Sequence, residues 1–308
     1  MGGMVMGERE ITQLYQQQKP HRVHPNFIPA ITLNSASGIV AMAYGAKGPN
    51  LTISTACSSS AHALGQALHC IREGRADVVI VVGADASITP LVFAGFCSLR
   101  ALSSKFNDQP EKASRPFDRL RDGFVMGEGA GTLILESAAH AKKRKARVYA
   151  EIAGYAATSE AYHMVIPRED GVEVAHTMRL ALADAGMTPA QVDYINAHAT
   201  STTIGDAVEA KAIRQLFKSR ADKIAISATK SLIGHTLGAA GAIGGIASVL
   251  ALHTGHIHPT ANYDDPDPAC ALAGLSSSVQ ERRVRVALLN AFGFGSNNAA
   301  VVLKQATK

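Results

Sequence analysis

The sequence predicts an α/β protein in which buried strands alternate with helices. Several apolar stretches, such as "VVIVVGAD", are continuous rather than alternating, which is typical of strands covered on both faces. Between such stretches the apolar residues recur at helical spacing, as Leu64, Ala67, Leu68 and Ile71 do. Apolar residues make up 47% of the 308 residues and charged residues 18%, which is enough to form a substantial core.

The clearest strand signals, in chain order, lie at residues 51–55, 76–85, 131–136, 148–156, 192–198, 222–227, 283–292 and 299–304. The first is followed by a helix that three serines, 58–60, are placed to cap and that Gly74 is placed to end. A later helix is expected to begin near Asp206, because Asp206 and Glu209 have the spacing of a capping box.

Residues 53–74 and 226–255 share one order of features: a strand, a short polar turn and a helix of small residues. This internal similarity predicts two related halves, residues 1–145 and residues 146–308. The first half carries a cysteine at its turn, and the second carries a lysine and a histidine there.

Composition and motifs exclude several classes of function. Tryptophan is absent and aromatics are 5% of the chain, so a base-stacking surface for nucleic acid is not expected. The start lacks a secretory signal, and the longest apolar run, 237–252, is short for a membrane span. Neither the four cysteines nor the histidines of 253–258 have metal-ligand spacing. We therefore expect a cytoplasmic protein with free thiols and no bound metal.

Cys57 is the strongest candidate for a nucleophile. It lies where the first strand signal ends and a helix begins, so unpaired backbone N–H groups and the helix dipole are expected to favour the thiolate. Small neighbours leave room for a substrate. The structural alternative is a buried cysteine that acts only as a small apolar residue.

Three further side chains end predicted strands and are suited to proton transfer or charge stabilisation. His198 follows the strand signal at 192–198, while Lys230 and His235 follow the one at 222–227. Ligands bind at the carboxyl ends of strands in α/β sheets, so these residues are expected to share one site with Cys57. The glycine-rich turn "GFGSNN" at 293–298 offers backbone N–H groups to an oxyanion.

Five motifs, in this order and spacing, resemble those of the elongating β-ketoacyl-acyl carrier protein synthases, condensing enzymes of the thiolase-like superfamily. They are "TACSSSAHALGQAL", "SRPFDRLRDGFVMGEGAG", "NAHATSTTIGDAVEAKA", "SATKSLIGHTLGAAGA" and "NAFGFGSNN". The resemblance implies a five-layered αβαβα fold of two similar halves, a homodimer, and acyl carrier protein as partner in its acyl and malonyl forms. It implies no cofactor beyond the carrier's phosphopantetheine.

The resemblance also implies a role for each candidate residue. Cys57 would take the acyl chain as a thioester, with the N–H groups of Cys57 and Phe294 as oxyanion hole. His198 and His235 would promote decarboxylation of the malonyl group, and Lys230 would organise them. The resulting carbanion would attack the thioester and release β-ketoacyl carrier protein, as in fatty acid elongation.

Substrate-binding roles are implied for further residues. Thr200 and Thr202 would bind the pantetheine arm, Phe294 would act as a gate, and Phe96 and Phe27 would belong to the acyl pocket. Basic residues are candidates to meet the acidic carrier protein, namely Lys19, Arg22, Lys142 and Arg144.

The sequence departs from the family pattern at two places. Gly244 occupies a position where the family usually has Glu, so Lys230 is expected to be paired differently. The family's amino-terminal segment is missing, so the first half is expected to be truncated and to lose a central strand. Three alternatives remain open: a polyketide ketosynthase, a non-catalytic partner of a complete synthase, and a cysteine hydrolase using Cys57 and His198.

Overall fold

The computed structural model describes residues 3–306. Within them four helices precede the first strand, helices and strands alternate through the middle, and four strands follow the last helix. The strands are β1 Val78–Asp85, β2 Gly129–Glu136, β3 Glu151–Ser159, β4 Tyr194–Asn196, β5 Ala225–Ser227, β6 His256–Ile257, β7 Gln280–Glu281, β8 Val286–Gly293 and β9 Asn297–Lys304. The helices are α1 Met4–Gln17, α2 Phe27–Ile31, α3 Ser35–Tyr44, α4 Ser59–Arg72, α5 Pro90–Ser98, α6 Ala138–Lys143, α7 Val172–Asp184, α8 Thr203–Phe217, α9 Lys230–Ile233 and α10 Ala240–Thr254.

A five-stranded mixed sheet, in the order β3-β9-β8-β4-β5, organises the second half of the chain. β4 is parallel to β5 and β8, whereas β8 and β9 form an antiparallel hairpin and β9 pairs with β3. Six successive residues of β8 and six of β9 are buried, as the continuous apolar runs predict for strands covered on both faces.

Helices cover both faces of this sheet. α7 and α8 pack on one face and α4 and α10 on the other. The same two helices, α4 and α10, also contact the antiparallel β1–β2 pair, so they lie between the two sheets. The backbones come close where they meet: a Cβ added to Gly241 of α10 would lie 2.5 Å from the Ala61 amide nitrogen of α4.

Three local predictions are wrong. Residues 51–55 form no strand, and they pair with none of the described strands. α8 begins at Thr203 rather than near Asp206, and the Thr202 hydroxyl caps it by accepting from Gly205 N–H. The serines at the start of α4 make no capping bond to the helix, since the Ser58 and Ser59 hydroxyls bond backwards into the preceding turn.

The apolar stretch Leu237–Thr254, which contains α10, is 18 residues long and meets the length and composition of a membrane span. Half of it is buried inside the protein, and α10 contacts both sheets. We therefore interpret it as a core helix.

Candidate active site

Cys57 lies in a single 3₁₀ turn, Ala56–Ser58, directly before α4. Ala56 has a φ of 51°, in the left-handed region that residues with a Cβ seldom adopt. Local hydrogen bonds hold the turn in this shape: the Ser58 hydroxyl donates to the Thr55 carbonyl at 2.7 Å, and the Ser59 hydroxyl donates to the Ala56 carbonyl at 2.6 Å. Residues 55–59 thus form a tight turn, which we call the elbow, and Cys57 lies at its centre.

Burial dominates the electrostatics of the Cys57 thiol. It raises the pKa of Cys57 to about 11, although the Lys230 charge, the Phe294 N–H and the Cys57 N–H all lower it. The backbone N–H groups thus lower the pKa of the thiol in the predicted direction, but burial of the sulfur outweighs them, so position in the chain alone does not ionise Cys57. The two N–H groups at the sulfur are the pair that the resemblance assigns to the oxyanion hole.

His198 and His235 lie together, with ring centroids 5.7 Å apart and ring planes nearly perpendicular. The Nδ1 atom of His198 accepts from Phe292 N–H, and that of His235 accepts from Leu237 N–H, each at 3.3 Å. Burial lowers both pKa values well below the usual 6.5, so both rings are neutral at pH 7. When the Nδ1 atom of a neutral imidazole accepts a hydrogen bond, the ring proton must be on Nε2.

The Nε2 atom of His235 is buried and has no hydrogen-bond partner among the described residues. His198 and His235 both line the same cavity as Cys57. Two neutral imidazole N–H donors are thus available beside one sulfur. Such donors stabilise negative charge that develops on a substrate oxygen.

Lys230 and Glu209 both hold the loop that carries His198 through hydrogen bonds to its backbone. The Lys230 ammonium donates to the His198 carbonyl, while the Glu209 carboxylate accepts from the N–H groups of His198 at 2.9 Å and Ala199 at 2.8 Å. Burial lowers the pKa of Lys230 to about 8, and the negative charge of Glu209 opposes that shift. Among the negative groups that raise the pKa of Lys230, Glu209 has the largest effect.

Two side chains lie close to Gly244, the position at which the family usually has an acid. A Cβ placed there would lie 2.9 Å from both Asn196 Oδ1 and a Leu289 methyl carbon. The Asn196 amide in turn donates to Tyr194 Oη at 2.9 Å and Thr229 Oγ1 at 2.8 Å. The neutral groups beside Gly244 are thus the Asn196 amide and a Leu289 methyl. That Lys230 is paired differently from its family counterparts stays a prediction.

A segment of the first half, residues 114–127, braces the site loops of the second half; we call it the strap segment. The Val125 carbonyl accepts from His235 N–H at 2.7 Å, and Gly127 N–H donates to the His235 carbonyl at 3.0 Å. The Arg121 guanidinium donates to the Thr202 and Thr203 carbonyls. The positions of His235 and the Thr202 loop therefore depend on both halves.

A cavity of about 590 Å³ opens in front of Cys57. Its wall includes predicted substrate-binding residues: Phe96, Thr200, Thr202 and Phe294. The Thr200 and Thr202 hydroxyls are 3.0 Å apart. Phe27 is not on this wall; it begins the short helix α2, and Leu33, six residues later, lines the cavity in its place.

The glycine-rich turn 293–298 closes one side of the cavity. Gly293 contacts the Cys57 elbow so closely that a Cβ there would lie 2.5 Å from the Thr55 carbonyl oxygen. On its other side the turn is tied to residues 160–164, because Gly295 N–H donates to the Met164 carbonyl at 2.7 Å and the Ser296 hydroxyl donates to the His163 carbonyl at 3.0 Å. Phe294 lies between these anchors, where a gate is expected.

Sequence reasoning missed two contributors to the site. Glu209 was expected to cap a helix, yet its carboxylate binds the loop that carries His198. Phe124 lies edge-on to His235, with ring centroids 5.4 Å apart, and to Phe96, 5.2 Å apart. The only signal for Glu209 was its place, eleven residues after His198 in a helix that follows the site loop.

One cavity thus contains a cysteine with two N–H groups at its sulfur and two neutral imidazole donors, which defines a cysteine-dependent acyl-transfer site. Two family models match the chain: the N-terminal domain of β-ketoacyl synthase over residues 1–141, and its C-terminal domain over residues 149–264. The chain belongs to the β-ketoacyl synthase family.

Curated relatives carry the name 3-oxoacyl-[acyl-carrier-protein] synthase. The mitochondrial protein of Arabidopsis thaliana is 47% identical over 95% of this chain, and synthase 2 of Coxiella burnetii is 44% identical over 99%. The chain spans 64% of the length of the first relative and 73% of the second.

Solved structures share the fold. A type II polyketide ketosynthase in complex with its acyl-carrier protein, bound to the hexaketide, superposes with a TM-score of 0.96 at 36% identity. The superposition covers 99% of this chain and 76% of the matched chain. A β-ketoacyl synthase from Burkholderia phymatum gives a TM-score of 0.92 at 33% identity. The predicted thiolase-like α/β fold class is confirmed.

Proposed function

We propose that the protein catalyses the decarboxylative condensation of an acyl thioester with malonyl-acyl carrier protein, giving β-ketoacyl-acyl carrier protein. One observation carries the proposal: the Nδ1 atoms of His198 and His235 each accept from a backbone N–H, and both rings line the cavity that contains Cys57. This arrangement suits stabilisation of an enolate rather than removal of a proton.

In the first step the Cys57 sulfur bonds to the acyl carbonyl carbon and the bond from that carbon to the pantetheine sulfur breaks. The thiol proton passes to the departing pantetheine thiolate, so the exchange is balanced. The N–H groups of Cys57 and Phe294 are placed to bind the oxyanion of the tetrahedral intermediate. The positive charge of Lys230 favours the thiolate that attacks.

In the second step the malonyl thioester loses carbon dioxide, and the electron pair passes into an enolate. The Nε2–H groups of His198 and His235 would stabilise the enolate oxygen. The enolate carbon then attacks the acyl-Cys57 carbonyl, and the Cys57 thiolate leaves and takes up one proton from solvent, which neutralises the charge that the malonyl carboxylate brought in. The Thr200 and Thr202 hydroxyls would hold the pantetheine amides during this step.

Acyl carrier protein is the proposed partner, and the enzyme is proposed to act as a homodimer in the cytoplasm. One family member in the structural comparison is a ketosynthase in complex with an acyl-carrier protein. Lys19, Arg22 and Lys142 are exposed and available to an acidic partner, whereas Arg144 is held by the Glu136 carboxylate. This pairing makes Arg144 the weakest of the four candidates.

The test is incubation with acyl-carrier substrate followed by mass spectrometry of the intact protein. We expect an acyl adduct on Cys57 that turns over only when malonyl carrier protein is added. Cys57→Ala should abolish the adduct, and Cys57→Gln should retain some malonyl decarboxylation. Turnover by water alone would identify a hydrolase, and an adduct that never forms would identify a non-catalytic partner.

A polyketide ketosynthase is the second candidate, favoured by the TM-score of 0.96 to the polyketide enzyme. The chain is 47% and 44% identical to two 3-oxoacyl-[acyl-carrier-protein] synthases but 36% identical to the polyketide enzyme. This difference favours fatty acid elongation. Products distinguish the two. Repeated condensation without reduction of the keto groups would indicate polyketide synthesis.

A further inference from the structure

Two histidines lie on one face of α4, two turns apart, and both contact the same aromatic ring. The Tyr155 ring of β3 is 6.1 Å from the His62 ring and 5.8 Å from the His69 ring, edge-on to each. Gly65, between the histidines, lets the ring approach the helix, since a Cβ there would lie 2.3 Å from a Tyr155 ring carbon. His62 and His69 therefore make almost the same contact with the core.

Only His62 reaches the elbow that carries Cys57. Its Nδ1 atom is 3.0 Å from the Ser58 carbonyl oxygen and 3.2 Å from Thr55 Oγ1. A carbonyl oxygen can only accept a hydrogen bond, so Nδ1 of His62 is the donor. Burial lowers the pKa of His62, which keeps the ring neutral with its hydrogen on this nitrogen.

The elbow is held from two sides. His62 binds the residues before and after Cys57 from the helix side, and Gly293 contacts the elbow from the other, where an added Cβ would lie 3.2 Å from the Cys57 amide nitrogen. The left-handed φ of Ala56 within this elbow is unfavourable for a residue with a Cβ and persists only if its surroundings enforce it. Loss of one support would therefore let the Cys57 N–H turn away from the sulfur.

We infer that His62 is a positioning residue for the Cys57 nucleophile. By donating its Nδ1–H to the Ser58 carbonyl, it fixes the elbow so that the Cys57 and Phe294 N–H groups point at the sulfur and at the oxyanion formed there. His62 does not line the cavity in front of Cys57, so it acts through the elbow. The catalytic part of this inference rests on the proposed function, whereas the positioning of the sulfur does not.

The test compares His62→Leu, His62→Asn and His69→Leu by the rate at which iodoacetamide alkylates Cys57 at pH 8, measured on the intact protein. Leu and Asn share a branched shape, but Asn keeps an N–H donor close to the position of Nδ1. Poorer alignment of the two N–H groups raises the pKa of the thiol, and one unit lowers the thiolate fraction about tenfold. We expect His62→Leu to react about tenfold more slowly than wild type, and the other two variants to react within about threefold of wild type.

Simple loosening of the elbow would expose the sulfur and speed the reaction. Alkylation of His62→Leu as fast as that of His69→Leu, or faster, would overturn the inference. If His62→Leu does not melt cooperatively, His62→Ala takes its place in the comparison. A rate for His62→Asn as low as that for the leucine or alanine variant would also overturn it.

Acyl transfer to Cys57 gives the second measurement. We expect His62→Leu to lower kcat about tenfold while KM for the acyl carrier stays within about twofold, because the defect lies in alignment rather than binding. An absence of acyl transfer in the wild type would refute the proposed function, and the alkylation rates would still decide the role of His62.

Discussion

Replacement of Glu209 by glutamine removes one negative charge and one hydrogen-bond acceptor from beneath the His198 loop without changing the size of the side chain. Both carboxylate oxygens are in use. Oε1 accepts from His198 N–H and the Asn290 amide, each at 2.9 Å, and Oε2 accepts from Ala199 N–H at 2.8 Å. The amide nitrogen of glutamine must therefore face at least one donor.

The expected loss of stability follows from these three hydrogen bonds. One buried N–H left unpaired costs about 1–3 kcal/mol, and the other bonds lose their charge assistance, worth about 1 kcal/mol. Burial raises the pKa of Glu209, so removal of the charge recovers part of a desolvation cost. We expect Glu209→Gln to lower the free energy of unfolding by about 2 kcal/mol.

Urea unfolding measures this change, and release of carbon dioxide from malonyl carrier protein measures its effect on the site. Displacement of His198 should slow decarboxylation about 100-fold. Glu73→Gln is the control, because Glu73 is exposed and its ion pair with Arg75 should contribute less than about 1 kcal/mol. Stability within about 0.5 kcal/mol of wild type, together with unchanged decarboxylation, would refute the role of Glu209.

Further measurements test other parts of the structure. His235→Ala should slow malonyl decarboxylation about 100- to 1000-fold, as carbon dioxide release would record, while acylation of Cys57 changes much less. Gly65→Ala should lower the free energy of unfolding by about 1–3 kcal/mol, because the added methyl group collides with the Tyr155 ring. Gly95→Ala is the control and should leave the free energy of unfolding unchanged, because a Cβ at Gly95 has no atom within 4 Å. Equal effects of the two substitutions would contradict the predicted collision. Between pH 8 and 10.5 the folded protein deprotonates Lys230 before the unfolded chain does. The free energy of unfolding of wild type should therefore rise with pH relative to that of Lys230→Met, and a constant or falling difference would contradict the lowered pKa.

The sequence predicted much of the site because His198, Lys230 and His235 come after strands β4 and β5, and Cys57 lies in the turn before helix α4. Cys57, His198, Lys230 and His235 each follow an apolar run, and topology brings such positions to one edge of a sheet. Strands of the second half were also predicted, because continuous apolar runs mark the buried strands β8 and β9.

What the sequence could not predict depends on contacts between distant parts of the chain. The pKa of Cys57 rises because the two halves enclose it, a burial that no local pattern encodes. Glu209 had the spacing of a helix cap, but tertiary contacts directed its carboxylate to another loop. Residues 51–55 had strand composition, yet a strand also needs a neighbour to pair with.

The strap segment limits how this protein can be recombined with its relatives. Because residues 125–127 hold the backbone of His235, a chimera that joins one parent's first half to another parent's second half also combines parts of the candidate active site that come from different parents. Crossover points that keep residues 114–127 with the loops at 198–206 and 230–237 from the same parent should give active hybrids more often than a cut at the midpoint.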